Sequence, residues 1–377
     1  MYISLVGRTP LKFLLVFLIV LSGCDLFRPD DSPQFVTSAV IVANGGNFGD
    51  QNGTLTTYDP ISGSVSQSPS LNGFLQSITV HEGLLYALLN TFSSGRIEIL
   101  SLSSMSIIAQ INDLPAPRAM VVLEGVAYVT NLQFGVPGSV VPVTLSSYKK
   151  GSAIAVGQIP EGISVIREKI VVANNGSLGS GRTLSVFGAG EETAKFLDVD
   201  CDGPRDLFPD NDGELAVLCT GKTVYNSDFT EILSTTNGAV LFLDMQSEEV
   251  VSRIDLDTQL GATNGSTAGY FDALSGELYA ISGEANTVYR IDTSTNSLED
   301  TLLIAPGDGL IGISGIAYDP LTSLLYVGRF PKSSGGEFPD FTAAGSVVIM
   351  DRKGEEQSRF DVGPAPSQII LLMDEAR

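Results

Sequence analysis

Seven short β-rich runs, each ending in a polar residue, recur along the chain at a nearly constant distance. This repeat constrains the fold more than any other feature. The runs are VIVAN ending at Asn44, YALLN at Asn90, AYVTN at Asn131, IVVAN at Asn174, AVLCT at Thr220, LYAIS at Ser282 and LYVGR at Arg329. Successive ends lie 46, 41, 43, 46, 62 and 47 residues apart. The one long interval holds an insertion, KTVYNSDFTEILSTTNG, between Lys222 and Gly238. A β-rich period of about 40 to 50 residues is that of propeller blades, each a four-stranded antiparallel sheet.

The other strands of each unit fall into place around the marker run. A first strand precedes it across a tight turn, as in GISVIREKIVVAN and LQSITVHEGLLYALLN. A Gly-rich loop leads to a third strand such as GRIEILS or NTVYRID, and a fourth such as EVVSRIDL closes the unit. Only six of the seven marker runs have a first strand of their own. Before VIVAN there is none, and the spare is PSQIILL at the C-terminus, placed like PEGISVI and PRAMVVL. The sequence therefore predicts an all-β, seven-bladed propeller, its ring closed by the C-terminal strand pairing in the first blade, which removes a free edge. Two domains, or an eighth degenerate blade, are the alternatives.

With these elements in view, the chain resembles the YncE-like seven-bladed propellers, whose repeats carry P-x-G-I, then Y-V-A-N, then V-x-V-I-D. Pro160-Glu161-Gly162-Ile163 and the segment from Gly363 to Ile369 match the start of that pattern, and Asn44 and Asn174 end VAN-like runs. Tyr289-Arg290-Ile291-Asp292 and Val348-Ile349-Met350-Asp351 match its third strand. The resemblance implies an exported binding or scaffold protein and no particular reaction.

The first residues point to the same compartment. Arg8 and Lys12 precede an apolar run over residues 13–21, the layout of a secretory signal and shorter than the roughly 20 residues of a membrane span. Leu21-Ser22-Gly23-Cys24 resembles the lipobox of bacterial lipoproteins, which implies lipidation at Cys24. An ordinary cleaved signal is the alternative. The expected organisation is a signal over 1–23, a tether over 24–35 and a single propeller domain over 36–377. The expected location is the bacterial cell envelope, on the exported side of the outer membrane or at the cell surface. With Cys24 committed to lipid, Cys201 and Cys219 remain as a pair, and in an oxidising compartment a disulfide is the default. Two buried thiols are the other possibility.

Charge and composition exclude some functions. A net charge of −22 and an isoelectric point near 4.2 leave no basic surface for nucleic acid. A monomer is expected. His81 is the only histidine and sits in a tight turn, so clustered-histidine metals and a Ser-His-Asp triad in the funnel are disfavoured.

Up-and-down strand order puts the loops after each second strand on one face of the ring and the tight first-strand turns on the other. The second-strand loops are long, and they carry Phe48, Phe92, Phe134, Tyr225, Phe229, Phe338 and Phe341. Function is expected on that face. The candidate ligand-binding set near the axis is Arg118, Glu161, Arg205 and Arg329, with Asn131 and Asn174 of the marker column. Three arginines there suggest a grip for an anion or carboxylate, and inter-blade ion pairs explain them equally well. The stretch DVDCDGPRD sets Asp198, Asp200, Asp202 and Asp206 around Gly203 in a spacing that suits calcium, although Pro209 stands where an EF-hand loop has its bidentate Glu. No cofactor is required. The leading expectation is a non-enzymatic ligand- or protein-binding module, its partner an envelope protein, peptide or glycan. The alternative is a hydrolase or lactonase-like enzyme with an acidic, metal-assisted site in the funnel.

Overall fold

The marker runs form the second strand of every blade and are buried on both faces, as near-continuous apolar sequences require. The computed structural model describes residues 35–133, 136–305 and 307–375. In the strand Leu84–Asn90, Leu85, Ala87 and Leu89 enter one hydrophobic cluster while Tyr86 and Leu88 enter another. Lys169–Asn174 divides likewise, with Ile170 and Val172 on one side and Val171 and Ala173 on the other. Alternation along a strand is the cause.

Those clusters lie between blades. Seven four-stranded antiparallel sheets make the ring, and each adjacent pair encloses one cluster, the last joining blade seven to blade one. The inner strands of blades one to seven are Pro366–Glu375, Phe74–His81, Pro117–Leu123, Pro160–Ile166, Pro204–Pro209, Gly269–Asp272 and Leu310–Asp319. Proline opens four of them, where the missing N–H costs no ladder bond. Outer strands are largely solvated, and in blade three the outer strand is split into Lys149–Lys150 and Ile154–Ala155.

The ring closes as the spare strand requires. Pro366–Glu375 pairs antiparallel with Phe35–Asn44, setting Val40 opposite Leu371, Ile41 opposite Ile370 and Val42 opposite Ile369. Across the seam to blade seven, Thr37 Oγ1 donates to Asp319 Oδ2 at 2.7 Å, and Tyr58 stacks on Phe360 at 4.2 Å. Each fully buried aliphatic side chain there contributes roughly 1.5–3 kcal/mol. The first strand starts at Phe35, one residue inside the stretch assigned to the tether. The signal, Cys24 and the rest of the tether lie outside the described residues. Among those described, no helix is long and apolar enough to cross a membrane.

Blade five explains the long interval in the repeat. Between its second strand Leu215–Cys219 and third strand Ala239–Asp244, the insertion folds as a separate hairpin of Thr223–Tyr225 and Ile232–Thr235. Cys201 and Cys219 form the disulfide, tying the connection from blade four to the second strand of blade five.

Candidate functional site

The side chains around the axis owe their direction to a shared backbone irregularity. Six of the seven blades skip one or more residues where the first and second strands begin to pair. The skipped residues include Gln76, Arg118, Glu161, Arg205 and Ser367. A β-bulge re-aims side chains in this way, and these five line an axial channel of about 330 Å³. Gly162 belongs to the same device, because a Cβ there would lie 2.3 Å from the Arg205 carbonyl oxygen.

Within the channel, charges are paired across blades. Arg118 of blade three donates to both oxygens of Glu161 in blade four, at 2.7 Å each from Nη2 and 3.0 Å from Nε, and to Gln76 Oε1 of blade two at 2.6 Å. Bidentate pairing of this kind is among the stronger charge-assisted contacts. Arg205 of blade five approaches Glu161 Oε2 at 3.8 Å and donates to the carbonyl of Gly265. Asp206 accepts from Thr267 Oγ1 at 2.8 Å and from the Ala268 amide. Gln368 Oε1 takes the Ile78 amide at 2.8 Å. Two cations and two anions thus balance, and the funnel is an inter-blade clamp more than an open anion grip. Arg205 keeps one unmet need, since its buried Nε has no acceptor among the described residues.

Other candidates fall elsewhere. Arg329 does not line the channel. It lies within the second strand of blade seven, Leu324–Pro331, fully buried, donating to Ala305 O at 3.4 Å and Asn286 Oδ1 at 3.3 Å. Burial, with Arg359 nearby, holds its pKa down to about 10. Asn131 and Asn174 are also buried, and the Oδ1 of Asn131 has no donor among the described residues. Asn131 donates to Val129 O, and Asn174 bonds Thr183, Ser185 and the Gly157 amide.

The acidic quartet does not converge. Asp198 ends an outer strand and is exposed. Asp200 and Asp202 pair with Arg182 at 2.8 and 3.1 Å, whereas Asp206 turns into the channel. The chain between them bends over residues 200–202 and turns at Gly203. No group of three or more metal-ligating side chains forms among the described residues. His81, expected in the tight turn, is instead the last residue of the inner strand of blade two, paired with Leu84 and 3.8 Å from Glu82.

The long loops supply what the channel lacks. Phe48 packs edge-on against Phe92 at 5.2 Å and tilted against Phe74 at 6.2 Å. With Leu132 and Val136 they line a groove of about 760 Å³, reaching Gln76 and Arg118 at the channel mouth. Phe92 is 72% exposed and Phe48 46%. Other loop aromatics pin their own segments, Tyr225 against Phe229 and Phe341 against Phe330. Phe134 lies outside the described residues. Phe74 and Val136 escape sequence reasoning, because Phe74 opens an inner strand and Val136 has nothing in its neighbourhood to set it apart from other loop residues.

Ring, bulged inner strands and axial channel define a seven-bladed β-propeller. No protein family model matches the chain, and no curated protein matches it in sequence. Solved structures that resemble it include the periplasmic gluconolactonase of Pseudomonas aeruginosa, 13% identical with a TM-score of 0.63 over 90% of this chain and 99% of that one. A quinonprotein alcohol dehydrogenase-like protein from Bacteroides thetaiotaomicron is 14% identical, with a TM-score of 0.65 over 89% and 78%. AztD from Citrobacter koseri is 12% identical, with a TM-score of 0.52 over 90% and 98%. At such identities the likeness is one of fold.

Proposed function

We propose that the chain is a non-enzymatic binding module of the bacterial cell envelope, lipid-anchored through Cys24, which takes its ligand or protein partner on the long-loop face. The observation that carries this reading is the aromatic groove of Phe48, Phe74 and Phe92, held open on a rigid ring beside the channel mouth. Exposed aromatic clusters of this size mark binding surfaces on soluble scaffolds. Phe35 pairs with Glu375 at the tight-turn face, so an N-terminal anchor attaches there and leaves the groove unobstructed.

Titration of the full chain with 8-anilinonaphthalene-1-sulfonate, an aromatic anion suited to the groove and Arg118, tests the site. Fluorescence should rise saturably, and Phe92→Ala should weaken binding about tenfold, roughly 1.4 kcal/mol. An unresponsive native protein argues against the site. For the anchor, Cys24→Ser should move the protein from the membrane to the soluble fraction, and unchanged retention rejects lipidation.

The second reading is a hydrolase or lactonase with an acidic, metal-assisted site in the channel, and the fold shared with a gluconolactonase is what favours it. Its acid–base groups would be Glu161 and Asp206. Both are already engaged, by Arg118 and by Thr267 with the Ala268 amide, so binding is the better-supported reading. Hydrolysis of gluconolactone by the native chain that is lost in Glu161→Gln would reverse that preference.

A further inference from the structure

We propose that a second groove on the long-loop face, over blades four to six, binds a neutral oligosaccharide. The proposal rests on the reading of this face as a binding face and is independent of the aromatic groove. The insertion hairpin forms one wall, the turn Ser177–Gly179 another, and the connection into blade six the third, enclosing about 640 Å³. That volume suits an organic ligand of several rings.

The lining selects the chemistry. Thr223, Thr235, Asn237 and Gln259 bring hydroxyls and amides to the lining, Thr223 and Gln259 bonded to each other. Each such group both donates and accepts, as sugar hydroxyls do. Only Arg205 and Glu284 carry charge, one of each sign, so an ionic ligand meets no net field. No aromatic ring lines the groove, in contrast to the groove over blades one to three.

Two further features point to a ligand. Arg205 stands in the wall shared by the channel and this groove. Arg205 is 8% exposed, the Gly265 carbonyl fixes its Nη2, and its Nε, 3.8 Å from Asp206 Oδ1, has no hydrogen-bond acceptor among the described residues. At the rim, Leu178 is 49% exposed and held at φ 54°, ψ 36°, a left-handed conformation that is unusual for leucine and collects at ligand sites. The next residue fixes where the turn lies. A Cβ on Gly179 would lie 1.9 Å from the Gly221 carbonyl oxygen, so the turn sits directly on the backbone of blade five. The leucine is thereby presented to the C–H face of a sugar ring.

The test is calorimetric titration of the full chain with maltotetraose, cellotetraose and tetra-N-acetylchitotetraose, together with the naphthalene sulfonate probe. At least one tetrasaccharide should bind saturably with a Kd below about 1 mM. Asn237→Ala, at an exposed position, and Gln259→Ala, at a half-buried one bonded to Thr223, should each weaken it about fivefold or more and leave the aromatic probe unaffected. Absence of tetrasaccharide binding while the probe still binds overturns the saccharide assignment alone. Absence of both overturns the binding face itself. Saccharide binding that survives both substitutions but is lost in Phe92→Ala puts the sugar in the aromatic groove and overturns this site.

Discussion

Blades one and five both depart from the repeat, and they do so in opposite ways. Blade one is assembled from segments more than 300 residues apart, its inner strand Pro366–Glu375 pairing with Phe35–Asn44. Blade five is continuous, but it carries a disulfide and an extra hairpin whose Phe229, Ile232 and Leu233 are exposed. The first irregularity lies on an inner strand, where it touches two hydrophobic clusters and so the whole ring. The second lies in a loop after a second strand, where it changes the face and leaves the ring intact. Position within the blade, more than the size of the departure, decides its consequence.

The largest effect expected from this contrast follows deletion of residues 366–377. Removing the inner strand of blade one should abolish the cooperative thermal transition seen by circular dichroism, and a truncated chain that still melts cooperatively breaks the comparison. Between the two blades, Arg118→Met strands Glu161 in the channel with Arg205 as its remaining, more distant partner. A cost of about 3–5 kcal/mol in urea denaturation is expected, because breaking a buried pair leaves an uncompensated charge. In blade five, Cys201→Ser with Cys219→Ser should cost about 3 kcal/mol, the loop-closure entropy of a bridge of this span.

On the other side of the ring, pH probes Glu277. Burial works against its charge, but hydrogen bonds from Tyr279, Arg290 and Arg352 outweigh burial and lower its pKa below the ordinary 4.5. A depressed carboxylate stabilises the fold above its unfolded pKa, and that contribution is lost as pH falls from 4.5 through the folded value. Stability measured against pH should slope there, and Glu277→Gln should flatten the slope. The smallest effect expected on stability is that of excising residues 223–235. The midpoint should shift by less than about 1 kcal/mol while tetrasaccharide binding disappears. A large loss of stability would place the hairpin in the ring rather than on it.

The contrast also explains what could be read from the sequence. Second strands buried on both faces must be continuous apolar runs, so blade number, the missing first strand and its C-terminal replacement were all legible. So were the disulfide, from the even pair left once Cys24 is set aside, and the placing of Phe48 and Phe92 in long second-strand loops, although their packing against each other was not. The bulges were not. Pro160-Glu161-Gly162 shows where a strand begins, but which residue is skipped depends on pairing with Asn174 and Val172. Gln76 was therefore missed, and Asp206, a channel residue, was grouped with Asp198, Asp200 and Asp202 on linear spacing alone. Arg329 occupies the marker column like Asn174, and nothing in that column shows that it is buried against Asn286 and Ala305 instead of lining the channel.

Amide hydrogen exchange on the native full chain tests ring closure, and with it the assignment of faces, most directly. Phe35–Asn44 and Pro366–Glu375 should be protected together, to the same degree as the central strands Leu84–Asn90 and Lys169–Asn174. Fast exchange across Pro366–Glu375 while Phe35–Asn44 stays protected would contradict the closed ring and the binding face derived from it.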